Sequence, residues 1–398
     1  MRQNLLNPKN IQTIPLSVPH VDGNEWTYVK DCLDSGWVSS AGHYVTKFEE
    51  AIARYTGTPH AVATSSGTAA LHIALALSGV QTSDEVIVPT LTFIAPINAV
   101  RYLNANPIFM DCDLHLNIDP VKTADFLEKE CFFNGVRLKN NKTGATIRGI
   151  ILVHTLGNPV NIKPFLDLSK KYRLTLIEDA AESLGSFYST DNLKGKQTGS
   201  VGHFGCFSFN GNKIITSGGG GMIAVQSKDI ADEAKYLTTQ AKDDAELFLH
   251  HHVGFNYRLT NLEAAVGLAQ LEQLDNYLQM KRRNYALYKN LLDSIDGITL
   301  ISEPDYAHSN QWLHTIKIDI KKFGCSATDL GQELHKSRIE TRPLWFPNHL
   351  QRPYQNCQSY KIENAIKFHS QCLSLPSSVS LNENQIKYVC DVIKQAAK

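Results

Sequence analysis

Between about residues 60 and 225 the chain alternates short apolar runs with helical patterns. The runs span 61–64, 85–88, 107–110, 147–153, 174–177, 204–209 and 221–225, and helical patterns follow several of them, at 68–77 and 180–184 among others. Nearly continuous apolar strands separated by helices predict a mostly parallel, seven-stranded sheet covered by helices on both faces, an α/β architecture. Past residue 245 the pattern changes. Thr260-Asn261-Leu262-Glu263 is a capping-box sequence, and Ala265, Leu268, Leu271, Leu274 and Leu278 then recur at three- and four-residue steps. That spacing predicts one long amphipathic helix, with Lys281, Arg282 and Arg283 on a solvated outer face. Strand-like runs at 314–320 and 339–345 follow, and the chain closes on a helix with Ile386, Val389, Cys390 and Ile393 on one stripe.

Length turns this pattern into a domain expectation. Single cores stop growing at about 250–300 residues, so 398 residues predict a large domain over 1–250 and a smaller α+β domain over 251–398. Neither repeats nor a low-complexity linker separate them, which predicts that the two pack together. Charge narrows the partners: 39 Lys+Arg balance 39 Asp+Glu, which argues against nucleic acid or an anionic membrane surface as a partner. No apolar run approaches the ~20 residues of a spanning helix, and the expectation is a cytoplasmic protein. Eight scattered cysteines without a C-x-x-C pair predict buried free thiols rather than a zinc site or disulfides.

In an open parallel sheet ligands bind outside the carboxyl ends of the strands, so chemistry is sought there. Ser65-Ser66-Gly67-Thr68 follows the first strand and opens a helix; it reads either as an anion cradle or as an ordinary N-cap. Phe93, after the second strand, either covers a planar ligand or fills core. His154 follows the fourth run and reads as a ligand contact or a satisfied core histidine. The fifth run ends in Glu178-Asp179, two carboxylates that are expensive to bury unless something cationic receives them. Asp179 either caps the next helical pattern or faces a protonated ring nitrogen. Lys213 sits between two strands and beside the glycine run 218–221, which permits close backbone approach. A lysine so placed can form a Schiff base with a carbonyl compound, although a surface lysine is the default. An anion cradle, an aromatic cover, an acid and an amine together are the parts a pyridoxal phosphate site requires.

With these residues in view the chain resembles the nucleotide-sugar aminotransferases of the DegT/DnrJ/EryC1/StrS type, among the fold-type I pyridoxal phosphate enzymes. The likeness runs from Gly23-Asn24-Glu25-Trp26 and Ser35-Gly36-Trp37-Val38-Ser39-Ser40 to Leu373-Ser374-Leu375-Pro376. Its most specific piece is Ser208-Phe209-Asn210-Gly211-Asn212-Lys213, with lysine five positions after serine. The resemblance implies that Lys213 bonds the cofactor, which alternates between pyridoxal and pyridoxamine phosphate, and that Asp179 pairs with the pyridine nitrogen. It implies that Gly67, Thr68 and Ser208 hold the phosphate, with Ser66 and Asn210 also on the cofactor, and that Phe93 stacks on the ring. Glu182 stands near the ring hydroxyl, where the family usually has glutamine. Residues 254–258 resemble a segment reaching the cofactor phosphate of a neighbouring subunit, through Asn256, which implies a homodimer with shared active sites. Trp37, His154, Arg258 and His349 are assigned by the same likeness to the substrate. The motifs most resemble the branch acting on UDP-4-keto-6-deoxy-N-acetylglucosamine in bacillosamine or legionaminic acid pathways, with glutamate as amino donor. A dTDP- or GDP-linked keto sugar, or amination at C3, is the alternative.

Rival readings each lack a residue. A sugar 3-dehydratase on the same cofactor has histidine in place of Lys213. An NAD-dependent sugar oxidoreductase wants a G-x-G-x-x-G turn, which Ser65-Ser66-Gly67-Thr68 does not supply. A non-catalytic regulator on the same fold would retain the lysine and show no transamination. The acidic run 111–119 departs from a calcium loop, with Leu116 at the sixth position and Lys122 at the twelfth. His250-His251-His252 cannot converge on one ion as successive residues of a regular element, so no metal site is expected.

Overall fold

The computed structural model describes residues 13–244 and 246–397. Seven strands form the body of the main sheet: β1 (His60–Thr64), β2 (Glu85–Pro89), β3 (Asn106–Met110), β4 (Thr146–Val153), β5 (Thr175–Asp179), β6 (Phe204–Ser208) and β7 (Gly221–Val225). Their spatial order is β1-β7-β6-β5-β4-β2-β3. All neighbours are parallel except β7, which runs antiparallel to β1 and β6. Every residue of β2 and of β7 is buried, as a sheet covered on both faces requires. Three short strands extend the sheet: the pair Cys131–Phe133 and Leu138–Asn140 on β4, and Ser359–Tyr360 parallel to β3. Strand order reverses between β2 and β4, which opens a crevice at the carboxyl ends of the strands.

A second sheet, wholly antiparallel, contains Ile298–Leu300, Thr315–Ile318, Cys372–Ser374 and Arg342–Pro343. It encloses its own apolar cluster with the helices Ala327–Lys336 and Glu383–Gln395, the latter burying the stripe Ile386, Val389, Cys390 and Ile393. Residues 14–16 run beside 338–340, with Ile14 bridged to Ile339. The expected division after residue 250 falls ahead of the helix Asn261–Glu272, whose Ala264 and Ala265 share an apolar cluster with Phe48 and Phe207. Among the described residues no helix is long and apolar enough to cross a membrane.

Three local expectations are corrected. The long helix is two, Asn261–Glu272 and Leu274–Leu292, because at Gln273 (φ −99°, ψ −3°) the regular bonding lapses and its N–H turns to Gln270 O, three residues back instead of four. The first helix presents small residues to its neighbours, and a Cβ on Gly267 would lie 2.7 Å from Phe48. The second buries Leu274 and Tyr277 in the same cluster as the first helix, and its other end buries the larger Tyr288 and Leu292 in the cluster of the second sheet. Residues 180–184 form turns rather than a helix: Ser183 N–H bonds Ala180 O at 3.1 Å, and Gly185 turns the chain away at φ +87°. Finally, Lys281 is not solvated. It is 2% exposed, with its ammonium donating to the carbonyls of Trp312, at 2.8 Å, and Ser377.

Candidate active site

The strand ends of the main sheet and one wall from the second sheet enclose a cavity of about 710 Å³. At its floor β5 delivers two carboxylates to opposite faces, as the two-residue period of a strand dictates. Glu178 turns away from the cavity. Its oxygens accept from Gly199, Val201 and Gly202 N–H at 2.6–2.9 Å and from His154 Nε2 at 2.9 Å. Burial works to raise its pKa, but His154 and these N–H groups outweigh it and hold the carboxyl below its ordinary value. Asp179 faces the cavity with one protein donor, Ala181 N–H at 3.1 Å on Oδ1. Burial raises its pKa, and the Ala181 N–H and the charges of Lys213 and His154 offset only part of that. Asp179 is therefore the carboxylate of the pair that still wants a cation.

Lys213 lies on the loop between β6 and β7, held where its N–H bonds Asn210 O at 3.0 Å. Its Nζ stands 3.6 Å from Glu182 Oε1 and 4.2 Å from the centroid of the Trp312 ring, a cation–π distance. Glu182 is 5% exposed, and its other oxygen accepts Leu156 N–H at 2.8 Å. Burial pushes its carboxyl up to about 7 against the pull of Lys213. An acid raised in the native state binds more protons folded than unfolded, so stability falls as pH climbs from its ordinary value toward 7. Glu182→Gln is therefore expected to flatten the pH dependence of apoprotein unfolding by urea between pH 5 and 8, removing a loss of up to about 3 kcal/mol. An unchanged slope in the variant would contradict this assignment of the proton.

The cradle lies at the far end of β1. Ser66 caps the helix Gly67–Leu77, its Oγ accepting Ala69 N–H at 3.1 Å, so the cap reading of this residue holds. Gly67 and Thr68, whose first-turn N–H groups have no partner within the helix, line the cavity at the positive end of the helix dipole. Ser208 closes the cradle from β6. A Cβ on Gly67 would lie 2.8 Å from Ser208 Cβ, and one on Gly221 would lie 2.5 Å from the backbone of Ser66, so only glycine lets these segments meet. An anion cradle of neutral groups, a buried carboxylate lacking a cation, and an amine between them fit a phosphorylated, aldehyde-bearing cationic ring. That is the make-up of pyridoxal phosphate.

Nine predicted residues thus line one cavity: Ser66, Gly67, Thr68, Phe93, Asp179, Glu182, Ser208, Asn210 and Lys213. Five lie outside its lining. His154 is fully buried, with Nε2 against Glu178 and Nδ1 accepting Val160 N–H at 3.0 Å, which is the core reading of that histidine and leaves no ring nitrogen for a substrate. Trp37 is exposed, and its carbonyl accepts from Asn261 Nδ2 at 2.6 Å. His349 spends its Nδ1 on Thr90 Oγ1 at 2.7 Å. Asn256 and Arg258 lie on a segment bonded to residues 237–240, and Tyr257 O accepts Ser65 N–H at 2.6 Å beside the cradle. The three consecutive histidines diverge, to the carbonyls of Gln240 and Ala241, to Asp243 and to Tyr236.

Sequence reasoning missed the opposite wall, where Trp312, Glu340 and Arg342 face the crevice. Glu340 Oε2 accepts Leu16 N–H at 3.2 Å, and Ser17 Oγ donates to Asn212 O at 3.3 Å, so the segment at 16–17 joins this wall to the lysine loop. A signal existed in the polar triplet Glu340-Thr341-Arg342, which interrupts the apolar run 339–345.

The model of the DegT/DnrJ/EryC1/StrS aminotransferase family matches residues 19–394. The relative EpsN of Bacillus subtilis is 36% identical, over 96% of this chain and 95% of its own. GDP-perosamine synthase of Escherichia coli O157:H7 is 37% identical over 96% of this chain and 98% of its own. Among solved structures, DesI with its TDP-sugar product superposes with a TM-score of 0.85 at 25% identity, covering 97% of this chain and 93% of that one.

Proposed function

Since the chain belongs to the DegT/DnrJ/EryC1/StrS aminotransferase family, we propose that it transfers the amino group of glutamate to the keto carbon, C4, of a nucleotide-linked 4-keto-6-deoxy sugar. The chain is a pyridoxal phosphate-dependent aminotransferase of nucleotide sugars. The observation that carries the residue roles is the Lys213 amine, 3.6 Å from Glu182, in one cavity with Asp179 and the glycine cradle. When bound, pyridoxal phosphate supplies an aldehyde that exchanges amines and a cationic ring that stores an electron pair.

Gly67, Thr68 and Ser208 hold the phosphate, with Ser66 and Asn210 beside it, and Phe93 covers the ring from the cavity mouth. Asp179 keeps a proton on the ring nitrogen. Lys213 Nζ removes the proton from the donor's Cα and later delivers one to the sugar carbon, while glutamate leaves as its keto acid and the sugar gains the amine. Glu182 holds a proton beside Lys213 near neutral pH. Trp312 and the segment at 16–17 shield the amine from water. Asn256 serves the cradle of a neighbouring subunit in a homodimer, and Arg258, Trp37 and His349 serve substrate from there or from the cavity rim.

On the nucleotide, the motifs favour UDP-4-keto-6-deoxy-N-acetylglucosamine. A GDP-linked sugar is the second reading, supported by the 37% identity to a protein named GDP-perosamine synthase. Purified protein incubated with glutamate and UDP-, dTDP- and GDP-linked 4-keto-6-deoxy sugars is expected to aminate one of them at C4, read by product mass and proton couplings. Amination of none would overturn the proposed activity, and amination at C3 would overturn its regiochemistry.

A further inference from the structure

Lys281, in the middle of the helix Leu274–Leu292, is buried without a counter-ion: among the described residues no carboxylate lies within ion-pair distance of it. Its Nζ reaches only two backbone carbonyls, Trp312 O at 2.8 Å and Ser377 O. Beside it His314 is also buried, with neither ring nitrogen bonded. Burial and the charge of Lys281 keep that ring well below its ordinary pKa, so it is neutral and adds no like charge beside the amine. Taking an ammonium out of water against neutral dipoles alone is costly, and an apolar side chain of similar length would fill the same volume more cheaply. Packing therefore does not account for a lysine here.

Its bonding does. Trp312 is gripped at three points: Asn310 Oδ1 accepts its N–H at 2.9 Å, Lys281 donates to its carbonyl, and its indole Nε1–H donates to Asn212 O at 2.7 Å. Asn212 is the residue before Lys213, and the Trp312 ring is the surface against which the Lys213 amine rests. We propose that Lys281 is a positioning residue for the Lys213 amine, acting through Trp312. The proposal rests on Lys213 being the amine that bonds the cofactor. Burial lowers the Lys281 amine to about 7, but its N–H donates to the Trp312 carbonyl in either protonation state, in a site without water, and the tryptophan transmits that placement to both the lysine loop and the lysine side chain.

The experiment compares wild type, Lys281→Met, Trp312→Phe and the double variant, all loaded with pyridoxal phosphate. Three quantities are read: the thermal midpoint of each apoprotein, the pH at which the absorbance band of the bound cofactor changes, and the rate of the absorbance change on adding glutamate. Each single variant is expected to displace the absorbance transition and to slow the glutamate step roughly 10- to 100-fold, as small misplacements of reacting groups do. The glutamate concentration at half-saturation stays near that of wild type. The double variant is expected to be no slower than the slower single one, since both act on one element. A Lys281→Met protein with a lowered midpoint but unmoved transition and rate would make the residue a structural staple and overturn the proposal, as would full additivity in the double variant. Lys281→Gln, which keeps two N–H donors without charge, replaces Lys281→Met if the latter does not fold; failure of both to fold also overturns it. Should wild type itself show no absorbance band that depends on Lys213, the role of Lys213 fails instead.

Discussion

Lys213→Ala is expected to bind pyridoxal phosphate through the cradle and to turn over at least roughly 10⁴-fold more slowly than wild type, since it lacks both the anchoring amine and the acid–base group. The cradle groups lie on the helix that follows β1 (Gly67 and Thr68) and at the end of β6 (Ser208), neither of which depends on the lysine side chain. Cofactor retention and turnover should therefore separate in this variant. The side chain of Lys213 is 13% exposed and stands 3.6 Å from Glu182, and burial raises the pKa of both that carboxyl and Asp179. Borohydride treatment of loaded wild type, followed by peptide mass measurement, is expected to find the cofactor fixed to Lys213, and the same treatment of the variant to find it fixed nowhere. Full activity in Lys213→Ala would remove the residue from the mechanism.

The parts of this site that could be read from sequence are those set by local periodicity. Asp179 and Lys213 follow apolar runs that could only be strands of a covered sheet, and the ends of such strands meet at one edge whatever the loops do. The capping box at Thr260 and Glu263 forms as written, because both partners lie within one turn. Most of what failed depended on contacts distant in sequence. Lys281 carries the signature of a solvated face, and nothing local shows that the carbonyls of Trp312 and Ser377 converge on it from 31 and 96 residues away. Trp312 and Arg342 enter the cavity only because the second sheet folds against the first. The turn at 180–184 has helical composition, but the inward pull of Asp179 on Ala181 N–H and of Glu182 on Leu156 N–H overrides it.

The adjacent pair Glu178 and Asp179 offers the second test, because the structure assigns opposite tasks to two neighbouring carboxylates. Asp179→Asn is expected to lower kcat by roughly 10²- to 10⁴-fold, since a neutral amide could not keep a proton on the ring nitrogen in the role proposed for Asp179. Folding should not suffer. The amide oxygen can still accept Ala181 N–H, and the variant removes a buried carboxylate whose raised pKa makes its ionised form a burden as pH rises through the raised value. The apoprotein of Asp179→Asn is therefore expected to be at least as stable as wild type at pH 8, the trade of stability against activity expected where a site stores an unpaired charge. Glu178→Gln should behave in the opposite way. Four donors converge on its two oxygens, so an amide NH₂ must confront at least one of them, and unfolding should become easier by about 1–3 kcal/mol. Urea unfolding of both apoproteins beside kcat of both loaded enzymes decides the assignment. If Glu178→Gln lost activity at unchanged stability while Asp179→Asn unfolded readily, the carboxylate that faces the cofactor would have been misidentified.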